Sequence, residues 1–279
     1  MNKILQISIW VIALAAIIVT LGFVNISSEQ TLFSQPIINI DYETENRFIN
    51  ESDILSQILN KEDTGTLLLN HFDVNYLEKK LDNNHSIKDV QVHKTIDGKL
   101  IVNVKQRRPI VRIFSRNESY YIDEKGNLMP LSNKYTARLL VVNGNLHEPF
   151  GKRYRFNYDN LNDTLAEKTL LDDIYKIANY IDNSEFWKAQ IEQVHVNKVY
   201  GFELIPKVGN HKIVFGGVDN LEGKFEKLMI FYKKGLSKTG WNEYSEINLK
   251  YNKHSLTVLL GNKIIKKLAF LKSITIKKD

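Results

Sequence analysis

The longest hydrophobic feature of the chain lies at its start. Ile4 to Val24 is an apolar run without a charged residue. At about 1.5 Å rise per residue it would form a helix about 31 Å long, which matches a bilayer core about 30 Å thick. The run therefore predicts a single transmembrane helix over 4–24. It is longer than the apolar stretch of a signal peptide and no cleavage pair follows it, which favours an uncleaved anchor over a leader.

The charges on either side of this run predict its orientation. Lys3 and the terminal amine precede it, and the first charge after it is Glu29. Positive charge stays on the cytoplasmic side of a membrane. Residues 1–3 are therefore predicted to be a short cytoplasmic tail, with the body of the protein outside the cytoplasm. Residues 25–35 are polar and lack periodicity, which is typical of a linker.

The next hydrophobic pattern predicts a compact unit over 36–111. Ile37–Tyr42 is a β-rich run, and helical spacing of apolar residues follows two good N-cap residues, Asn50 and Asp73. Two alternating strands then meet at Asp97-Gly98, the strongest short signal for a hairpin. The predicted order of elements is strand, helix, helix, strand, strand.

A second, mixed α/β domain with a mostly antiparallel sheet is predicted over 112–260, so that the fold class is α+β. Short alternating runs predict its strands, and 3.6-residue periodicity predicts its helices. Its main elements are a helix from about Leu165 to Ile181, a helix that begins with a capping box at Asp219–Glu222, and closing strands at Ile247–Tyr251 and Ser255–Leu260.

Composition limits the possible functions. The chain is 43% hydrophobic and 25% charged, as in a folded protein. It has no cysteine, which excludes disulfides, thiolate metal sites and cysteine nucleophiles. Most of the net charge of +6 lies in the tail, residues 261–279, which holds six lysines and one aspartate. The nearly neutral body argues against a nucleic-acid interface. The tail is either a solvated, partly disordered terminus, which is favoured, or a contact for anionic lipid or an acidic partner.

Catalytic motifs are absent from the sequence. The histidines show neither HExxH nor other paired-ligand spacing, and there is no GxSxG, Walker loop or GxGxxG. The glycine pair in Phe215–Asp219 could cradle an anion, but a tight turn into a helix is favoured because Asp219 would repel that anion. The sequence therefore predicts a protein that is not an enzyme, without a cofactor, metal site or small-molecule substrate.

The order of these motifs resembles a known family. The βααββ order and the hairpin over 89–113 are similar to a POTRA domain, and Val102–Pro109 resembles the exit from that domain in the bacterial division family FtsQ/DivIB. Gln106 stands where the family often has an acidic residue. Ile247–Leu260 (INLKYNKHSLTVLL) resembles the family's closing strand pair. The resemblance covers roughly residues 1–260.

This resemblance implies a non-enzymatic scaffold with a single membrane span, located in the bacterial inner membrane at the division septum. Its partners would be small FtsB- and FtsL-like coiled-coil subunits, recruited by strand addition, and the septal wall synthesis machinery. In the family the last strand of the second domain pairs with the partner. The implied partner-binding residues are Tyr251, Lys253, His254, Ser255, Leu256, Thr257 and Val258. The basic tail could cover this edge or extend the partner's site.

Two other functions are compatible with parts of the pattern. A POTRA-bearing transport or chaperone component would usually carry several POTRA repeats or a C-terminal barrel, and the sequence shows neither. A wall hydrolase or transferase would need a nucleophile or a metal set. The scaffold is the favoured hypothesis.

Overall fold

The structure is a computed structural model and describes residues 8–19, 35–59, 72–95, 97–150, 169–236, 240–250, 256–260 and 263–268. The chain divides into two compact units, Met1–Arg107 and Arg108–Asp279. Each unit has its own buried apolar cluster.

The N-terminal helix, α1, differs from the sequence prediction. It covers residues 8–19 within the predicted run of 4–24, and the flanking residues of that run lie outside the described residues. Among the described residues, no helix is both long and apolar enough to cross a membrane. The transmembrane helix in the predicted fold class is therefore not supported.

The first unit has the predicted order strand, helix, helix, strand, strand. Its elements are β1 (Ile37–Asp41), α2 (Glu51–Ile58), α3 (Val74–Asp82), β2 (Ile87–Lys94) and β3 (Leu100–Gln106). The strands form a sheet in the order β1-β3-β2, in which β3 pairs parallel with β1 and antiparallel with β2. The helices bury Ile54, Leu77 and Leu81 against this sheet. The assignment to the POTRA class remains a prediction.

Helices α2 and α3 begin at the predicted caps. The Asn50 side chain accepts a hydrogen bond from the Asp53 amide at 3.0 Å, and the Asp53 carboxylate accepts one from the Asn50 amide at 3.0 Å. This reciprocal capping box satisfies two of the amides that a helix start leaves free. Asp73 accepts from the Tyr76 amide at 3.2 Å and caps α3.

The second unit is a ten-stranded mixed sheet with helices. Its sheet order is β13-β12-β11-β10-β9-β8-β7-β4-β5-β6, and all neighbours are antiparallel except the parallel pairs β4/β7, β7/β8 and β10/β11. The strands are β4 (Pro109–Phe114), β5 (Ser119–Asp123), β6 (Leu128–Met129), β7 (Leu140–Gly144), β8 (Ile191–Asn197), β9 (Gly201–Pro206), β10 (Lys212–Gly216), β11 (Glu246–Asn248), β12 (Leu256–Leu260) and β13 (Lys263–Leu268).

Three α-helices of the described residues pack with this sheet, α4 (Leu170–Asp182), α5 (Glu185–Gln190) and α6 (Leu221–Phe231), and a π-helix (Tyr232–Leu236) follows α6. They share one apolar cluster with the strands. Stacked and tilted rings fill it; the ring of Phe225 lies 4.4 Å from that of Tyr180 and 5.1 Å from that of Trp187. Burial of this aromatic and aliphatic surface stabilises the unit.

The start of α6 differs from the predicted capping box at Asp219–Glu222. The helix begins at Leu221, and its N-cap residue Asn220 is left-handed, with φ 47°, and makes no side-chain cap. Lys224, only 1% exposed, instead donates to the Gly217 carbonyl at 2.9 Å and to the Asp219 carboxylate at 3.2 Å. A cation thus fills the turn that the glycine pair had suggested as an anion cradle.

Candidate partner-binding edge

One end of the ten-stranded sheet, called the C-terminal edge here, consists of the last three strands, β11, β12 and β13. β11 runs parallel to β10, with Ile213 opposite Ile247. β12 then pairs antiparallel with β11, and β13 pairs antiparallel with β12. Among the strands that the structure describes, β13 has only β12 as a neighbour and is the outermost strand at this end of the sheet.

The predicted partner-binding residues fall in two groups. Leu256, Thr257 and Val258 lie in β12, and Thr257 is paired with Asn248 and Val258 with Ile247. The other four predicted residues, Tyr251, Lys253, His254 and Ser255, lie outside the described residues. The role of all seven in partner binding stays a prediction.

The position of β12 differs from the expectation that it would be the edge strand. β12 lies between β11 and β13, so that its backbone has a paired strand on both sides. Part of the segment that was expected to be a solvated tail, Lys263–Leu268, forms β13. Ile264 and Ile265 are the β-branched signal that could have identified this strand. The six lysines of the tail instead favoured the prediction of a solvated terminus.

A charged cluster lies on the strands next to this edge. Lys212 of β10 contacts Glu203 of β9 at 3.1 Å and Glu246 of β11 at 3.5 Å. The hydrogen bond to Glu203, together with the two negative charges, raises the pKa of Lys212. Because opposite charges alternate across three strands, this cluster supports the pairing of the short strand β11.

An exposed hairpin tip lies beside the same cluster. Val199 and Tyr200, in the turn between β8 and β9, are 70% and 44% exposed. Lys250 donates to the Val199 carbonyl at 3.1 Å, and the ammonium groups of Lys250 and Lys212 lie 5.8 and 5.5 Å from the Tyr200 ring centre. These contacts hold an aromatic ring at the surface between two cations.

The described residues contain no candidate metal site, since no three of their His, Asp or Glu side chains group in a way that could hold a metal ion. His195 contacts the Asn143 side chain at 2.9 Å, and His211 is buried with its Nε2 3.2 Å from the Tyr232 hydroxyl. Burial lowers the pKa of His211 and raises that of Tyr232. Both histidines hold structural contacts between neighbouring elements.

Comparison with protein families identifies the family to which the chain is related through its second unit. The family model described as "FtsQ/DivIB, C-terminal related" matches residues 108–256, which is more than half of the chain. The chain belongs to the FtsQ/DivIB family. The match begins at the first residue of the second unit. No curated protein matches the chain.

FtsQ/DivIB membership indicates a role in bacterial cell division. Members of this family are non-enzymatic division proteins with partners in the division complex. The matched region ends at Leu256, the first residue of β12, so that most of β12 and all of β13 lie beyond it. The outer two strands are therefore the part of the candidate edge that the family match does not describe.

Proposed function

We propose that this FtsQ/DivIB chain is a non-enzymatic scaffold of the division complex, and that it recruits a partner polypeptide by strand addition at the outer edge of β13. The observation that carries the proposal is the position of β13, Lys263–Leu268, as the last strand of the ten-stranded sheet. An outermost strand presents unpaired amide and carbonyl groups, and a partner strand can satisfy them.

The opposite end of the same sheet is a weaker template for strand addition. Its last strand, β6, has only two residues, Leu128 and Met129, and both are buried. β13 has six residues and offers a longer ladder. An added strand gains affinity from its main-chain hydrogen bonds, so that the longer edge is the better docking site.

The sequence of β13 favours an acidic partner strand. Lys263, Lys266 and Lys267 make half of its residues basic. Opposite charges on paired strands stabilise pairing, and like charges destabilise it. We propose that the partners are small FtsB- and FtsL-like division subunits whose pairing strand carries Asp or Glu. The predicted residues Leu256, Thr257 and Val258 would then support the site from one strand further in.

Site-specific photo-crosslinking in living cells tests the proposal. Probes are placed at Ile264 and Lys266 in β13, at Thr257 in β12, and at Tyr76, an exposed residue of the first unit, as a control. We expect crosslinks to a small coiled-coil division protein from the β13 probes. Strong crosslinks from Thr257 alone would show that the partner displaces β13. Crosslinks from Tyr76 without any from β12 or β13 would contradict strand addition at this end.

A further inference from the structure

A groove in the second unit, separate from the C-terminal edge, has the character of a binding site. It has a volume of about 520 Å³ and is lined by residues of β4, β7, β8, α4 and α5, by the segment that precedes β7, and by Lys207. Its lining is mainly apolar, and includes Ile110, Leu140 and Ile181. Phe114, also in the lining, is 39% exposed. An exposed aromatic side chain in a mostly apolar groove is typical of surfaces that bind other chains.

Arg112 gives the groove a polar group without a partner. It lies on β4 with Tyr121 and Val141 as its cross-strand neighbours. Its Nε is buried and, within the described part of the chain, donates to no hydrogen-bond acceptor. Its guanidinium carbon lies 4.7 Å from the Phe114 ring centre and 5.8 Å from that of Tyr121. A buried donor is normally satisfied, and a guanidinium held against two rings is already oriented to receive a carboxylate.

The charges around the groove are mostly positive. Arg112, Arg138, Lys188 and Lys207 line it, together with the carboxylates of Asp182 and Glu192. Asp182 is already neutralised, since Arg108 and Lys188 contact it at 2.7 and 2.6 Å. Arg138 is exposed at the rim. With Asp182 neutralised, Arg112, Arg138 and Lys207 outnumber the one remaining carboxylate of the lining, Glu192, so that the groove keeps a net positive charge beside its apolar surface.

We infer that this groove binds a partner peptide segment in which an acidic side chain stands next to apolar ones. The guanidinium of Arg112 would donate to the carboxylate, Arg138 would add attraction at the rim, and the apolar lining would cover the neighbouring side chains. Charge complementarity favours an acidic peptide, and the extent of apolar lining favours a peptide over a small inorganic anion. The groove lies on β4 and β7, which are in the other half of the sheet from β13, so that this site is independent of the proposed strand addition.

Selection from a displayed library of random nine-residue peptides tests this inference. The full chain is the target, and peptides that also bind the Arg112→Gln variant are removed. The selected peptides are expected to be enriched in Asp or Glu beside Leu, Ile or Phe. By fluorescence anisotropy, the best of them should bind Arg112→Gln at least tenfold more weakly than the wild-type chain. Replacement of its acidic residue by Gln or Asn should produce a similar loss.

Two further variants separate recognition in the groove from altered folding. Arg138→Glu changes only an exposed rim residue and should also weaken binding at least tenfold. Arg116→Gln, an exposed arginine in the turn after β4 that does not line the groove, should bind as the wild type does. Failure to enrich acidic peptides, or equal affinity for Arg138→Glu and the wild type, would overturn the inference. So would displacement of the peptide by millimolar phosphate or acetate, since that would identify a small-anion site.

Discussion

Single buried polar side chains define much of the local structure. Gln106, fully buried at the end of β3, accepts from the amides of Phe48 and Ile49 at 2.8 and 3.2 Å and donates to the Asn46 carbonyl at 3.0 Å. A carboxylate at this position could accept the first two bonds but could not donate the third. The departure of Gln106 from the acidic residue common in the family is therefore consistent with its contacts here.

Replacement of Gln106 should loosen the segment before α2. Gln106→Leu removes the buried acceptor that the Phe48 and Ile49 amides share and the donor to the Asn46 carbonyl, which should destabilise the first unit by about 3 kcal/mol. Hydrogen exchange followed by mass spectrometry should show lost protection over residues 46–49. Gln91→Leu, at an exposed position on the neighbouring strand β2, is the matched control and should leave exchange unchanged. Unaltered protection in Gln106→Leu would show that these bonds contribute little.

His211 should make the stability of the second unit depend on pH. Burial lowers its pKa from the ordinary value of 6.5, so that the unfolded chain binds this proton at a higher pH than the folded chain does. The contribution of neutral His211 is fully present above about pH 6.5 and is lost as the pH falls below that value, by at most about 1.4 kcal/mol per pH unit.

Urea unfolding between pH 5 and 8 measures this effect. Trp187 and Trp241 lie in the second unit, and their fluorescence reports its unfolding. His211→Gln should be less stable at pH 8 because it alters the contact with Tyr232, and should lose less stability on acidification than the wild type does. His147→Gln, at an exposed position, should retain the wild-type pH dependence. Parallel pH profiles for wild type and His211→Gln would contradict this assignment.

At the scale of elements, a buried side chain can replace a predicted cap. α6 depends on Lys224 rather than on Glu222, which is exposed. Lys224→Ala removes a buried side chain and two hydrogen bonds, and should lower the free energy of unfolding by about 2 kcal/mol. Glu222→Ala should change it by less than about 0.5 kcal/mol. Urea midpoints of the two variants decide between these contacts, and a larger loss for Glu222→Ala would restore the predicted capping box.

Sequence motifs correctly predicted the helix starts and the turn that depend on neighbouring residues alone. Asn50 and Asp73 each cap a helix as their sequence context predicts, and β3 follows the turn at Asp97-Gly98. The bonds of Lys224 to Gly217 and Asp219 are also local, but no capping pattern describes them. The position of β13 depends on pairing between Ile264 and Leu259. The many lysines of this segment favoured the prediction of a solvated tail and gave no indication of that pairing.

Long-range pairing explains the rest of what the sequence could not predict. The parallel pairs β4/β7, β7/β8 and β10/β11 join strands that are far apart along the chain. Periodicity identifies a strand but not its neighbour. The groove at Arg112 follows from the same pairing, because Tyr121 and Val141 lie beside that residue only once β4 is paired with β5 and β7. An isolated Arg-x-Phe in a strand carries no such signal.

At the scale of the whole molecule, each of the two units has its own core. The fragment 108–279 contains every residue of the larger apolar cluster. A unit with its own core can fold alone. We expect this fragment to unfold in urea at the same midpoint, by tryptophan fluorescence, as the second unit of the full chain. Gln106→Leu in the full chain should leave that midpoint unchanged. A fragment that lacks a cooperative transition would contradict this independence.

The most direct test of the proposed scaffold is cell length in a depletion strain that expresses a chain altered in β13. Proline has no amide to donate to a strand ladder. Because successive amides of a strand point to opposite sides, Ile264→Pro combined with Ile265→Pro removes one donor from the open edge. Ile264→Val with Ile265→Val keeps both amides and is the control. We expect filaments with the proline pair and normal cell length with the valine pair. Normal division with the proline pair would contradict recruitment of the partner at β13.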